Sequence, residues 1–208
     1  GDLARAKPLV HVRPRGPFTE IQFWYFYPFN GSGRVEICVV VLGCEVDWFN
    51  AAGRHYGDWE MVSLLVDNAT GAMVAAGLSQ HGAVEWVRYD SLEKYTDGVR
   101  PLIYAAYHSH ANYRSGGRHD YEVARETSAY TATLFDITDT SGQGPLFIIG
   151  DYILAHVDPN LLPDWMGFPY RWGQYIWNHE DVEYASTNYY DENEVNPGPT
   201  GPPKKSEW

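Results

Sequence analysis

The sequence predicts an all-β fold, mainly antiparallel: a single-domain β-sandwich with short helices and long loops. Three observations point there. Among the 208 residues are 16 Tyr, 8 Trp and 8 Phe, side chains that pack well on pleated surfaces. The 20 glycines and 13 prolines are spread along the chain, as in a protein of many short strands and turns. Helical periodicity is weak, with neither heptads nor a repeat of fixed period.

The elements follow in order. Residues 20–44, EIQFWYFYPFNGSGRVEICVVVLGC, read as a hairpin whose two aromatic and β-branched strands flank the turn PFNGSGR. Residues 59–82 repeat the pattern around the turn DNATG. AVEWVRYD is a short strand. PLIYAAYHSHANY looks like another and ends in the polar loop RSGGRHDYE. YTATLFDITD and GPLFIIGDYILAHV supply further strands, while DSLEKYTDG and LLPDWMGF could each form a turn or two of helix. The sandwich is expected over residues 1–187, and residues 188–208 read as a polar, proline-rich C-terminal arm.

The net charge of −12 argues against nucleic-acid binding through a basic face. It also disfavours anionic lipid, though not neutral or glycosylated lipid. Acidity suits a metal cation. The longest apolar run, ICVVVLGC, has eight residues, far short of the roughly 18–20 of a membrane helix, so no transmembrane segment is expected. Cys38 and Cys44 are placed to close a short disulfide loop, and two reduced thiols fit as well. With the sequon Asn68-Ala69-Thr70 they lean towards a secreted protein, a cytoplasmic one being the alternative. The start GDLARAKP shows no signal-peptide pattern, although it suits the end of a processed chain. A monomer is expected.

The chemistry concentrates in AAGRHYGDWEMVSLLV, residues 51–66. Side chains alternate across a strand, so Asp58 and Glu60 share a face with Val62, Leu64 and Val66. Two carboxylates continuing a core row repel one another, and withdrawing each from water costs several kcal/mol. They escape at a rim, or a cation compensates them. A turn of the size of WFNAAG could return Asp47 to the cluster. Asp47, His55, Asp58 and Glu60 would then offer three carboxylates and one imidazole, a set that favours Ca²⁺ or Mg²⁺, with Mn²⁺ or Zn²⁺ as alternatives. Exposed acids at a strand end give the same pattern.

His108 and His110 lie two apart and would face the same way on a strand. His81 ends the preceding hairpin. The three could ligate metal, act as acid–base groups or bind an anionic headgroup, or each could simply bond a backbone carbonyl or a tyrosine. Trp48 and Phe49, beside Asp47, suit either an apolar ligand contact or core packing. His11, His119, His156 and His179 stand alone. Neither a Gly-x-Ser-x-Gly elbow nor a phosphate-binding glycine loop is present.

HYGDWE, SQHG, HSHANY and RWG come in that order after LARAKPLVHV and FWYFYPFNGSG. As a set, from about Leu3 to Gly173, they resemble the vacuolar protein sorting-associated protein 62 family. The DWE segment is also similar to the GHRHDWE motif of necrosis- and ethylene-inducing-like cytolysins, secreted β-sandwich toxins that bind sphingolipid headgroups through a divalent cation. That resemblance implies metal ligation by His55, Asp58, Glu60 and Asp47, and a place for His110 near a metal-bound water. Gly57 departs from it, standing where those toxins carry histidine, and Tyr56 replaces their arginine. The functions implied are a cation-dependent binder or toxin for a glycan or lipid headgroup, or a metal-dependent hydrolase or lyase. The enzyme would act on a small-molecule substrate and use His110, His108 or His81 for proton transfer. A scaffold that an ion merely stabilises is the third reading.

Overall fold

The computed structural model describes residues 6–49, 54–149, 153–155, 164–169, 171–172 and 199–205. In chain order the strands are β1 (Leu9–Arg15), β2 (Phe18–Asn30), β3 (Gly33–Val39), β4 (Gly43–Phe49), β5 (His55–Asp67), β6 (Met73–Gln80), β7 (Ala83–Arg88), β8 (Tyr104–Ala105), β9 (Asn112–Tyr113), β10 (Gly117–Glu126), β11 (Tyr130–Thr138) and β12 (Ile153–Ala155). Short 3-10 turns occupy Tyr89–Ser91, Asp164–Gly167 and Pro202–Lys204. The fold is all-β, as the sequence predicts. A six-stranded sheet runs β12-β1-β2-β5-β6-β7, a four-stranded one β10-β11-β3-β4, and β8-β9 form a small hairpin. Pairing is antiparallel except between β1 and β12, which are parallel.

The central pair β2–β5 is built from 13-residue strands, and β5 buries alternate residues in two separate clusters. Trp59 and Met61 join Leu9, Trp24 and Met166, with Trp172 packed against them. Val62 joins Ala76, Leu78, Val87 and Leu92, with Tyr25 and Leu64 alongside. Both faces of the larger sheet are therefore apolar here, which is why β5 reads as a near-continuous hydrophobic run. Each such side chain contributes about 1.5–3 kcal/mol on burial.

The β5–β6 hairpin turns at Asp67–Gly71, where Asp67 Oδ1 accepts from the backbone N–H groups of Ala69 and Thr70. This agrees with the predicted DNATG turn. The first predicted hairpin does not form: β2 and β3 lie in different sheets. The crossing occurs at Gly31–Ser32, where Gly31 N donates to His108 O at 3.0 Å. A Cβ on Gly31 would lie 2.5 Å from the His108 ring, so only glycine admits the close approach. Instead β3 pairs with β4, and Cys38 faces Cys44 in a disulfide. The ICVVVLGC segment is thus two strand ends and a tip.

Three further expectations change. PLIYAAYHSHANY is not one strand; it is the β8–β9 hairpin with a turn between. The polar RSGGRHDYE segment contributes to β10, an edge strand with little buried surface whose polarity hides it from hydrophobic patterning. Of GPLFIIGDYILAHV, residues 145–149 carry no strand and Ile153–Ala155 form β12, while residues 150–152 and 156–157 lie outside the described residues. Of the predicted arm, residues 199–205 are described: Trp172 N donates to Pro199 O, Arg171 and Thr200 form an isolated bridge, and Pro202 is buried. Its residues 188–198 and 206–208 lie outside the described residues, as do His156 and His179.

Candidate functional site

The first half of β5 carries the acids. Register sets Asp58 opposite Tyr27 and Glu60 opposite Tyr25 on β2. Asp58 is buried, and His110 Nδ1 lies 3.2 Å from its Oδ2. The His110 ring stacks on Tyr27 with centroids 3.9 Å apart. Burial, with the Glu60 and Asp58 charges added, pushes the Tyr27 hydroxyl well above its ordinary pKa. The Glu60 carboxylate accepts from the Ser79 hydroxyl. That hydroxyl oxygen in turn accepts from Met61 N at 2.8 Å and from Asn112 Nδ2 at 3.2 Å. Burial, reinforced by the charge on Asp58, pushes the Glu60 carboxyl up to about 8, against the pull of Ser79 and Lys205.

His55 donates from Nδ1 to Gly57 O at 3.1 Å, which leaves the Nε2 lone pair for a ligand. Burial holds the ring below its ordinary pKa while Asp58 opposes. Gly57 has φ +69°, and a Cβ there would meet Trp172 at 3.0 Å. A larger residue at this position would be strained on both counts, so the motif's departure at Gly57 follows from the local backbone. Lys205 Nζ donates to Trp59 O at 2.8 Å, which brings an ammonium group within electrostatic reach of Glu60 and His55.

A second carboxylate centre forms on β11. Asp136 is buried and takes three partners: His81 Nε2 at 2.7 Å, the Tyr113 hydroxyl at 2.8 Å and the Ser109 hydroxyl at 2.8 Å. His81 also stacks on Tyr121 at 3.7 Å. Burial, then the Asp136 charge, pushes the Tyr113 hydroxyl well up. The short segment Ser109–Tyr113 links the two centres. Ser109 and Tyr113 reach Asp136, His110 reaches Asp58, and Asn112 reaches the serine that holds Glu60.

His108 takes a different direction from His110. Its Nδ1–H donates to Ser32 O at 3.1 Å, and its ring stacks on Trp48 and Tyr107 at 4.7 and 4.2 Å. The expectation that His108 and His110 share a strand face therefore fails, because both sit in the β8–β9 turn. Among the described residues, His81, His108 and His110 are the non-glycine positions with left-handed backbone, at φ 44°, 76° and 58°. Each such conformation costs about 1–3 kcal/mol and persists only where the surroundings enforce it.

Asp47 stands apart from this group. It is exposed on β4 opposite Val35, and its Oδ1 accepts from Trp48 N at 2.7 Å. The Phe49 side chain lies outside the described residues. Among the described residues, the set of three His, Cys, Asp or Glu donors lying within 4.8 Å of one another is Glu36, Cys38 and Cys44. Its two sulfurs are already bonded to each other, so it offers no thiolates. The donors of Asp47, His55, Asp58 and Glu60 are not gathered that tightly, and Glu60 is turned to Ser79.

Asp136, Ser109, Tyr113, Tyr27, Ser79 and Lys205 were missed in the sequence. For Asp136 a signal exists: in TLFDIT an acid interrupts an alternating apolar strand, as Asp58 does on β5. Lys205 has no local signal, since its role comes from how residues 199–205 return to the sheet.

The profile of the family described as "Vacuolar protein sorting-associated protein 62" matches residues 1–189. Two curated relatives come from Saccharomyces cerevisiae. The vacuolar protein sorting-associated protein TDA6 is 29% identical over 199 residues, covering 82% of this chain and 38% of its own length. Vacuolar protein sorting-associated protein 62 is 30% identical over 160 residues, covering 71% of this chain and 30% of its own. The chain thus spans under two fifths of these relatives. Among solved structures, one titled "NLPPya in complex with glucosamine" overlaps 53% of this chain and 44% of its own, at 18% identity and TM-score 0.36. Another, "Toxin fold for microbial attack and plant defense", overlaps 64% of this chain and 46% of its own, at 16% identity and TM-score 0.35. The structural likeness is partial.

Proposed function

This chain belongs to the vacuolar protein sorting-associated protein 62 family, and we propose that it is a divalent-cation-dependent binder of glycan or sugar-bearing lipid headgroups. Asp58, Glu60 and His55 would hold the cation, Glu60 turning from Ser79 towards it, and Asp47 would be the fourth candidate. The observation that carries this reading is the acid pair itself. Two neighbouring carboxyl groups on one strand face are drawn from water, and burial first, then the Asp58 charge, pushes the Glu60 carboxyl up to about 8, a setting in which a bound cation would favour the ionised form. The donors suit a hard cation by kind: two carboxylates, and an imidazole whose Nε2 remains available. Ca²⁺ or Mg²⁺ fits this oxygen-rich set better than Mn²⁺ or Zn²⁺. Such a cation, when bound, would offer open coordination positions to sugar hydroxyls.

Aromatic residues at the β8–β9 turn, which also carries His110, support a ligand-facing role. Tyr107 is exposed and stacks on His108, which stacks on Trp48, and the Arg34 guanidinium lies 4.7 Å over the Trp48 ring. An aromatic ledge of this kind suits the apolar face of a sugar ring. The Cys38–Cys44 disulfide supports an oxidising, extracytoplasmic setting. No helix among the described residues is long and apolar enough to cross a membrane.

The test is elemental analysis of the purified chain after incubation with Ca²⁺ or Mg²⁺ and gel filtration. About one ion per chain is expected, and less than a tenth of that in Asp58→Ala. Equal metal content in both proteins would end the proposal. A second reading, a metal-dependent hydrolase or lyase, is favoured by the His110–Asp58 and His81–Asp136 pairs, an arrangement that can hold a base in one tautomer. It requires turnover that His110→Ala abolishes while metal content stays unchanged.

A further inference from the structure

The tip of the β3–β4 hairpin is the most exposed apolar element among the described residues: Val40, Val41 and Leu42 are 75%, 85% and 84% exposed. Three consecutive aliphatic side chains standing in water are unusual unless something covers them. The Cys38–Cys44 disulfide ties the two stems of the tip together. Its backbone is also braced, with Val40 N donating to Ala129 O at 3.1 Å and Leu42 N to Val39 O at 3.0 Å. From Val39 to Gly43 the sequence VVVLG carries no charge, inside a chain of net charge −12.

We propose that this stapled tip is a membrane-contact element that inserts Val40, Val41 and Leu42 into the interfacial layer of a bilayer of neutral or zwitterionic lipid. Size decides for a bilayer over a protein partner. Three side chains fall far short of the roughly 1,200 Å² that a specific protein interface buries, whereas a bilayer accepts a small apolar wedge of any outline. Charge decides the lipid class, because an acidic chain is repelled by an anionic surface. Contact through three side chains is reversible, and flotation with vesicles in excess registers it without a second attachment.

The tip is separate from the acid pair and does not depend on a cation. His108 stacks on Trp48 near the opposite end of the β3–β4 ladder, where Arg34 faces Trp48 and Gly33 faces Phe49, while Val39 faces Gly43 next to the tip. Six residues of strand separate the two ends, about 20 Å.

The experiment is flotation of the full chain with phosphatidylcholine vesicles, with and without EDTA. The native protein is expected to float, equally in both conditions, and less with vesicles rich in phosphatidylserine. The double variant Val41→Asp, Leu42→Asp should lose at least tenfold of the bound fraction with an unchanged melting temperature. Val41→Trp, which keeps the tip apolar, should retain or raise it. Flotation that is absent, or that the double aspartate substitution leaves intact, overturns the proposal. So does a dimer in sedimentation analysis that the aspartates dissolve while vesicle binding is unaffected. Flotation lost only in EDTA assigns the contact to the acid pair instead and also overturns it.

Discussion

Neutralising Glu20 by Glu20→Gln gives a pH-dependent loss of stability whose size follows from its surroundings. Glu20 is 1% exposed on β2. Its carboxylate accepts from Arg13 Nε at 2.9 Å, Arg15 Nη1 at 2.8 Å, the Ser63 hydroxyl at 2.6 Å and Gln22 Nε2 at 3.1 Å. Burial alone would raise its pKa. The bonds from Ser63, Arg15, Arg13 and Gln22 outweigh burial and lower it from 4.5 to about 2. Because the folded-state value is depressed, the stabilisation is complete above the unfolded-state value of 4.5. It is lost as pH falls through about 2. At ~1.36 kcal/mol per pH unit the gap is worth about 3 kcal/mol at neutral pH. Near pH 3 about 1.5 kcal/mol of it remains. Urea unfolding of native and Glu20→Gln proteins across that range should show the difference shrinking accordingly. A difference that stays constant from neutral pH down to pH 3 would mean that the glutamine perturbs packing, and the electrostatic account would be refuted.

Two further outcomes are expected. Gly57→Ala places a Cβ 3.0 Å from Trp172 on a backbone at φ +69°. It should cost about 1–2 kcal/mol in chemical denaturation and shift tryptophan emission. Asp136→Asn removes the charge that holds His81, Ser109 and Tyr113; about 3 kcal/mol of stability should go with it, read by urea unfolding at neutral pH.

How much of this was readable in advance depended on how local the causes are. The β5–β6 hairpin was legible because its signals are local: an apolar run, an Asp-Asn-Ala-Thr-Gly turn and a matching strand. The β2–β3 crossing was not, because NGSG suits a hairpin turn, and what redirects the chain is His108, packed against Gly31 from 77 positions away in sequence (108 minus 31). The placing of Asp58 and Glu60 on one face followed from strand alternation alone. The divergence of His108 and His110 did not, since left-handed backbone at both positions breaks the period-two rule. Cys38 and Cys44 stand out in the sequence as a potential pair, yet the apolar residues between them carry the signature of a strand. β-branched residues at an exposed tip carry the same local signature as those in a sheet, and only tertiary placement separates the two.

The Ser109–Tyr113 segment fastens the sandwich as a rivet fastens two plates. Its side chains grip Asp58 and, through Ser79, Glu60 in one layer, and Asp136 in the other. Lateral slippage of the layers at this end would have to break several bonds at once. The sandwich is thus pinned against shear at the place where its charged groups gather.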